Sequence, residues 1–169
     1  MNLSTGNPAT HDISSLNDGM EGSCLCGKIT IKITQEGLFD KPNGGICHCY
    51  NCRQFSGAAS ANLLLVPTEN VHISDPFSSL KTYNDTNTAS GRMVPRSFCS
   101  NCGSSLGILP LCGHPQTSIV MLGLFPRIPE PEFECFTKHR QGWMKPMVAA
   151  CGESEFGESV LKFNGHLLR

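Results

Sequence analysis

Seven of the ten cysteines fall into three tight groups, and these groups constrain the fold more than any other feature of the sequence. The groups are CLCG (Cys24, Cys26), CHCYNC (Cys47, Cys49, Cys52) and FCSNCG (Cys99, Cys102). Ten cysteines in 169 residues lie below the roughly 8–10% typical of disulfide scaffolds. The first residues carry neither a basic nor an apolar signal segment, so we expect thiols used for metal binding or catalysis rather than disulfides.

The spacing within each group suits metal binding. On an extended chain the two sulfur atoms of C-x-C leave the same face, and C-x-x-C followed by glycine predicts a tight turn with both sulfur atoms pointing inward. Seven clustered cysteines fit one four-thiolate site and one three-thiolate site. The alternative is that every metal here is a structural staple for a chain rich in glycine and proline. The remaining cysteines, Cys112, Cys135 and Cys151, are predicted to be buried or half-buried free thiols.

The spacing alone leaves two pairings of the groups open. A ribbon-like pairing joins Cys49, Cys52, Cys99 and Cys102, but the interval between its two halves greatly exceeds the spacers of ordinary zinc fingers. The other pairing joins Cys24 and Cys26 to Cys99 and Cys102 and leaves Cys47, Cys49 and Cys52 as a compact three-ligand site. Local geometry favours the second pairing, because CHCYNC can surround one ion by itself.

The pattern of apolar residues predicts one mainly antiparallel β domain. Ile29, Ile31 and Ile33 alternate with polar residues and should share one face of a strand. ASANLLLV and SIVMLGLF are short apolar runs typical of buried strands, and no sustained helical period occurs before residue 150. We expect a flexible N-terminal tail over 1–19, a zinc-binding domain over 20–148 and a C-terminal extension over 149–169.

Charge and hydropathy exclude two classes of partner. The net charge is −1 and only 16% of residues are charged, whereas non-specific nucleic-acid binding requires a basic surface. No apolar run approaches the roughly 20 residues that cross a bilayer. The sequence therefore predicts a soluble, cytoplasmic protein with neither a nucleic acid nor a membrane as partner.

The order of the motifs resembles a known family. C-x-C-G-x-I, then CHCxxCRxFSGA, then SGRxVxRxFCxxCGSxL, is similar to the glutathione-dependent formaldehyde-activating enzymes, a family that includes the related domain of centromere protein V. The resemblance runs from about Ser23 to Trp143. It implies a β-tent of packed antiparallel sheets with two Zn²⁺ ions per chain. It assigns Cys24, Cys26, Cys99 and Cys102 to a structural zinc, and Cys47, Cys49 and Cys52 to a catalytic-type zinc with one open position.

The family resemblance implies a carbon–sulfur lyase acting on a small thiol adduct. The type reaction is S-hydroxymethylglutathione = glutathione + formaldehyde, and a soft three-thiolate zinc suits a sulfur ligand from the substrate. Two alternatives stay open. One is a zinc enzyme for another small metabolite, such as a hydrolase, decarboxylase or cyclase. The other is a non-enzymatic zinc module that binds a protein partner. A homo-oligomer is compatible with each.

Further residues near the motifs are candidates for supporting roles. His48 is the titratable group nearest the three-cysteine group, but alternation turns it away from Cys47, so a surface or structural histidine is the competing interpretation. Arg53 follows the last cysteine and can either bind a substrate carboxylate or hydrogen-bond the group. Weaker candidates include basic residues that can bind an anion: Arg92, Arg96, Lys138, His139 and Arg140. The aromatic rings of Phe55 and Trp143 can line the site, although core packing is more typical of them. His114 is the last candidate, and an ordinary loop histidine is its competing interpretation.

Overall fold

The structure, a computed structural model, describes residues 20–148 together with the backbone of 161–163 and 166–168. The predicted tail over 1–19 lies outside the described residues, as does most of the predicted extension over 149–169. The boundaries proposed for the domain therefore stay predictions. Within the described ranges no helix combines the length and the apolar character that a bilayer crossing requires.

Strands dominate the described residues, as predicted. The strands are β1 (Met20–Ser23), β2 (Thr30–Ile33), β3 (Gly44–Cys47), β4 (Ala61–Pro67), β5 (Val71–Ser74), β6 (Leu80–Asp85), β7 (Val94–Cys99), β8 (Ser105–Ile108), β9 (Thr117–Met121), β10 (Pro131–Cys135), β11 (Leu161–Phe163) and β12 (His166–Leu168). One α-helix, α1 (Tyr50–Ser56), and three short 3₁₀ turns (Thr68–Asn70, Leu122–Leu124, Thr137–His139) complete the described elements.

Two sheets form the body of the molecule. The larger has seven strands in the order β10-β3-β4-β9-β8-β7-β6, and the smaller has three in the order β1-β2-β5. A separate hairpin pairs β11 with β12. Neighbouring strands are antiparallel except for β10 and β3, which run parallel at one edge of the large sheet. The mainly antiparallel β prediction is confirmed, with this one parallel pair as its exception.

The predicted alternation in β2 explains how the small sheet packs. Ile29, Ile31 and Ile33 are all buried, whereas Lys32 between them is exposed. Their apolar faces join the core that includes Leu64 of β4. Each fully buried isoleucine side chain contributes about 1.5–3 kcal/mol, so this face fixes the small sheet against the large one.

Strand β4 is buried on both faces, which divides the interior into two apolar cores. Leu64 and Val66 pack in the core that also contains Cys24 and Cys99. Leu63 and Leu65, which alternate with them, pack in a second core that contains Cys47 and Cys135. The partly buried Cys49 and Cys52 contact this second core. Because successive strand residues point to opposite faces, the two groups of cysteines lie on opposite faces of the large sheet.

Helix α1 was not predicted from the sequence, although it lies inside the most cysteine-rich motif. It is only seven residues long and has no buried residue. So short a helix shows no apolar periodicity that a sequence pattern can reveal. Its N-cap is Cys49, and its C-cap is Gly57, which has a left-handed φ of 66°.

Candidate metal centre

Four cysteines from distant parts of the chain converge at the edge of the first core. The sulfur atoms of Cys24, Cys26, Cys99 and Cys102 all lie within 4.8 Å of one another. Cys24 follows β1 and Cys99 ends β7, so pairing in two different sheets brings the halves together. The structure thus adopts the second of the two pairings, and the ribbon-like alternative is wrong.

Tight turns aim these four sulfur atoms. Cys24 and Cys26 lie in a turn closed by the Gly27 N–H donating to the Cys24 carbonyl (2.8 Å), not on the extended chain that we predicted. The predicted turn at FCSNCG is present, and the Gly103 N–H donates to the Cys99 carbonyl at 2.8 Å. Both glycines have positive φ, 72° and 77°, a conformation that glycine adopts without steric cost.

The surroundings of this cluster give its thiols different pKa values. Burial raises the pKa of Cys99 to about 12. Burial acts in the same direction on Cys102, but hydrogen bonds from the side chain and backbone of Ser104 outweigh it and lower the pKa to about 6. The Ile29 N–H also donates to the Cys24 sulfur at 3.3 Å. Backbone and hydroxyl donors directed at sulfur favour the thiolate form that binds metal.

Three further cysteines converge in the second core. The sulfur atoms of Cys47, Cys49 and Cys52 lie within 4.8 Å of one another, as the compact CHCYNC motif predicted. Cys47 ends β3, Cys49 is the N-cap of α1, and Cys52 lies in the first turn of that helix. The Cys52 N–H donates to the Cys49 sulfur at 3.3 Å, which satisfies one of the free N–H groups of the helix start.

Arg96 is the charged partner of this three-cysteine cluster. It is buried on β7, its Nε donates to Asp85 Oδ2 at 2.8 Å, and its Nη1 approaches the Cys52 sulfur at 3.8 Å. Hydrogen bonds from Cys47 and Cys49 lower the pKa of Cys52 well below its ordinary value, and the positive charge of Arg96 adds to that effect. The sequence suggested Arg96 only as an anion-binding residue, so its contact with a cysteine was missed.

Asp85 holds Arg96 in place and links the cluster to helix α1. Asn51 of α1 donates to Asp85 Oδ2 at 3.0 Å and to the Asn87 carbonyl at 2.8 Å. Burial alone would raise the pKa of Asp85, but hydrogen bonds from Asn51 and Arg96 lower it, so the carboxylate stays ionised. No motif in the sequence pointed to Asp85 or Asn51, because their role depends on contacts between elements that are distant in sequence.

Cys135 lies beside the three-cysteine cluster. It is buried on β10, directly opposite Cys47 in the parallel pairing, and a hydrogen bond with its thiol is the largest of the effects that raise the pKa of Cys47. The predicted burial is confirmed for Cys135. It is wrong for Cys112, which is exposed in a loop after β8, and Cys151 lies outside the described residues.

His48 is buried on the opposite face of the chain from Cys47. Its Nε2 lies 3.5 Å from Glu134 Oε2, and Glu134 also contacts the guanidinium of Arg140. Burial lowers the pKa of His48, so the ring is neutral at pH 7. This placement agrees with the predicted alternation, and it excludes a surface histidine. Arg53 lies half-buried on α1, with its guanidinium 5.8 Å from the centre of the Tyr50 ring.

The weaker candidates are spread over the molecule. Phe55 packs on the second core with its ring 5.4 Å below the Arg96 guanidinium. Trp143 is 75% exposed, so core packing was the wrong expectation for it. His114 lies in a turn bridged to Leu111, in line with a loop histidine. Of the predicted anion-binding residues, Arg96 contacts a cysteine cluster, and Arg140 contacts Glu134. The others are exposed: Arg92, Lys138 and His139.

Comparison with known proteins agrees with the motif order. A model of the glutathione-dependent formaldehyde-activating enzymes matches residues 19–139, which is most of the chain and spans both cysteine clusters. The chain belongs to this family.

Two individual relatives extend the comparison. A protein of Schizosaccharomyces pombe named as an uncharacterised lyase is 30% identical over 86 residues, which is 51% of this chain and 54% of that protein. The chain therefore spans about half the length of this curated relative. A Rhodobacter sphaeroides protein of known crystal structure is 20% identical, with a TM-score of 0.45 over 62% of this chain and 86% of that one.

In this member of the formaldehyde-activating family, the cysteine geometry fits a metal ion. Tetrahedral zinc with Zn–S bonds of about 2.3 Å separates its sulfur ligands by about 3.8 Å. The sulfur atoms of Cys24 and Cys26 are 3.5 Å apart, and those of Cys26 and Cys99 are 3.8 Å apart. Both clusters also consist purely of thiols, the ligands that select zinc and other soft metals. Each cluster can therefore hold a metal ion.

A cavity of about 470 Å³ lies next to helix α1. Its walls come from the C-terminal half of α1, the start of β4 and the turn that carries Cys102, and they include Gln54, Phe55, Asn62 and Ser104. Its lining contains no Arg, Lys, His, Asp or Glu side chain, and the three-cysteine cluster is not part of it. The cavity therefore provides hydrogen-bonding groups without a guanidinium or ammonium partner for a carboxylate.

Proposed function

We propose that the protein is a zinc-dependent carbon–sulfur lyase that acts on a small thiol adduct, with S-hydroxymethylglutathione = glutathione + formaldehyde as its type reaction. The observation that carries the proposal is the three-thiolate cluster of Cys47, Cys49 and Cys52, which lies apart from a complete four-thiolate set. Membership of the formaldehyde-activating family supports it, as does the name of the lyase relative.

The two clusters support a proposal of two zinc ions per chain. Cys24, Cys26, Cys99 and Cys102 would hold a structural ion, since four thiolates complete a tetrahedral site. Cys47, Cys49 and Cys52 would hold a catalytic-type ion, with the fourth position left for a substrate. Bound there, zinc would supply Lewis-acid stabilisation to a sulfur atom that gains negative charge.

The chemical change is simple and balanced. The carbon–sulfur bond of the adduct breaks, the sulfur keeps the electron pair, and the carbon becomes the carbonyl carbon of formaldehyde. The hydroxyl proton of the adduct ends on the released thiol. The three cysteines orient the sulfur, and the buried positive charge of Arg96 offsets part of the negative charge that the thiolates concentrate.

Arg53 and His48 were both predicted to be catalytic, but their surroundings favour different roles. Arg53 lies one residue after Cys52, and its Nε is buried without a hydrogen-bond partner, which favours a role in binding a substrate carboxylate. The contact of His48 with Glu134 favours the structural alternative over proton transfer. The roles of both stay predictions, as do a cytoplasmic location and a homo-oligomeric state.

The cavity bears on the choice of thiol. Glutathione carries two carboxylates and one ammonium group, whereas the cavity lining contains no Arg, Lys or His side chain to pair with a carboxylate and no Asp or Glu to pair with an ammonium group. If the cavity receives the body of the thiol, a small neutral adduct fits it better than S-hydroxymethylglutathione does. We therefore include the hydroxymethyl adduct of 2-mercaptoethanol as a second substrate in the test.

The test combines metal content with turnover. Native mass spectrometry of anaerobically purified protein should show two zinc ions per chain, falling to one in the Cys49→Ser/Cys52→Ser double variant. Exchange NMR on mixtures of formaldehyde with each thiol should show faster exchange with the wild-type protein than without protein. The double variant should lose this acceleration, and Cys112→Ser, at an exposed cysteine outside both clusters, should keep it. A folded double variant with undiminished exchange would refute the proposal.

A further inference from the structure

The register of the single parallel strand pair places a fourth thiol next to the three-cysteine cluster. Cys135 of β10 is paired with Cys47 of β3. Residues paired across neighbouring strands point to the same face of a sheet. Both side chains accordingly enter the second core, which Cys49 and Cys52 also contact. Cys135 is thus the fourth cysteine around one buried space, although it lies more than 80 residues from the others in sequence.

The backbone position of Cys135 is fixed by its surroundings. It is only 3% exposed, and its carbonyl accepts a hydrogen bond from the His48 N–H at 3.1 Å. The next residue, Phe136, has the left-handed φ of 53° and packs against the same core. A left-handed backbone is sterically unfavourable in a residue other than glycine. The chain thus turns away from the sheet immediately after Cys135, in a strained conformation that the surrounding packing maintains.

We propose that Cys135 is the fourth sulfur ligand of the metal held by Cys47, Cys49 and Cys52 when no substrate is bound. This inference rests on the proposed function, since it requires a metal at the cluster. A metal with three thiolates keeps a fourth coordination position, and a thiol buried beside it is a soft ligand of the kind that such a site prefers.

Cys135 is also the ligand that a substrate would displace. It is not part of the set whose sulfur atoms all lie within 4.8 Å of one another, so it completes the site only after its side chain moves towards the other three. The sulfur of an incoming thiol adduct exchanges one sulfur ligand for another, whereas water must replace sulfur with a harder oxygen ligand. The fourth thiolate therefore selects for sulfur-containing substrates and against hydrolysis.

The test uses the protein with cadmium-113 in place of zinc, because the chemical shift of this nucleus depends on the number of sulfur ligands. The wild-type protein without substrate should give two resonances, both in the range of four sulfur ligands. Cys135→Ser should move one resonance to the range of three sulfur ligands and leave the other in place. Cys112→Ser, which changes an exposed cysteine outside both clusters, should move neither.

The outcomes separate this inference from the proposed function. A wild-type protein with one resonance for four sulfur ligands and one for three would overturn the inference and leave the lyase proposal intact, even if Cys135→Ser fails to fold. Two resonances whose chemical shifts both stay unchanged in Cys135→Ser would overturn the inference as well. Two four-sulfur resonances without any acceleration of formaldehyde exchange would support the inference and refute the lyase. A single cadmium ion per chain would refute both.

Discussion

At the scale of single residues, the chemistry of the three-cysteine cluster depends on buried charge outside the cysteine motif. Arg96 approaches the Cys52 sulfur and pairs with Asp85, and both side chains are more than nine-tenths buried. A guanidinium cannot lose its charge in a protein. Arg96 therefore supplies a permanent positive charge in a space that also holds three thiols, of which Cys52 has a lowered pKa.

Removing this charge should weaken metal binding without unfolding the protein. We expect Arg96→Gln to lower the affinity of the three-cysteine cluster for zinc by about 10–100-fold, the usual effect of losing a residue that supports metal ligands. Competition with a chromophoric chelator measures the affinity. The control is Lys32→Gln, which removes one positive charge from an exposed site on β2. Equal affinities in the two variants would show that Arg96 does not support the cluster.

Glu134 is a second buried charge, and it gives the stability a pH dependence. It is fully buried, accepts hydrogen bonds from Arg140 and from the Met147 N–H at 2.7 Å, and lies next to His48. Burial alone would raise its pKa, but these hydrogen bonds and the charge of Arg140 hold it below its ordinary value. A lowered pKa in the folded state adds stability above the unfolded-state value and loses it as the pH falls through the folded-state value.

We therefore expect Glu134→Gln to cost about 3 kcal/mol at pH 7, because it leaves the partly buried guanidinium of Arg140 without its charged partner. The difference from the wild type should shrink as the pH falls through the lowered pKa of Glu134, where the carboxylate itself becomes protonated. Urea unfolding of both proteins between pH 7 and pH 3.5 measures this, and acid release of cysteine-bound metal affects both alike. A difference that stays constant with pH would contradict the ionised state of Glu134.

At the scale of elements, the site depends on the close approach of β10 to β3. Gly45 lies opposite Phe133, and a Cβ atom at Gly45 would lie only 2.3 Å from the phenyl ring. The missing side chain of Gly45 lets the ring lie over the strand, two residues before Cys47 and two before Cys135. The glycine thus sets the spacing that brings the two cysteines side by side.

Gly45→Ala should therefore disturb both the edge of the sheet and the cluster. We expect a loss of about 1–3 kcal/mol in unfolding free energy, the usual cost of overpacking, together with weaker binding of the second metal ion. Gly142→Ala is the matched control, because a Cβ atom there meets no other atom within 4 Å. Chemical denaturation and native mass spectrometry provide the two readouts. If both variants behave alike, the approach of Phe133 to Gly45 is not what sets the spacing.

At the scale of the whole molecule, the two clusters lie in separate cores on opposite faces of the large sheet. The four-cysteine cluster joins the small sheet to the large one, since Cys24 follows β1 and Cys99 ends β7. The three-cysteine cluster lies within the large sheet and its attached helix. Loss of metal should consequently have a different effect at each site.

We expect Cys24→Ser to cost more than about 4 kcal/mol, the range typical of losing a structural metal, and to lower the melting temperature by roughly 10 °C or more. Cys52→Ser should leave the melting temperature within a few degrees of the wild type. Differential scanning calorimetry of the two variants makes the comparison. Similar melting temperatures would contradict a division into a structural and a catalytic-type site.

The sequence by itself determined the fold class, the compact three-cysteine group and the alternation that buries Ile29, Ile31 and Ile33. These features depend on residues close together in the chain, where spacing dictates geometry. The spacing left the pairing of Cys24 and Cys26 with Cys99 and Cys102 open but favoured, and the structure confirms it. Tertiary structure alone decided two contacts between distant segments: that of Arg96 with Cys52, and that of Cys135 with Cys47. Helix α1 could not be predicted from the sequence either, because hydrogen bonds at its caps, and not an apolar periodicity, define it. Local sequence patterns predict which face of a strand a residue lies on, but strand order and register decide which residues of distant strands come into contact.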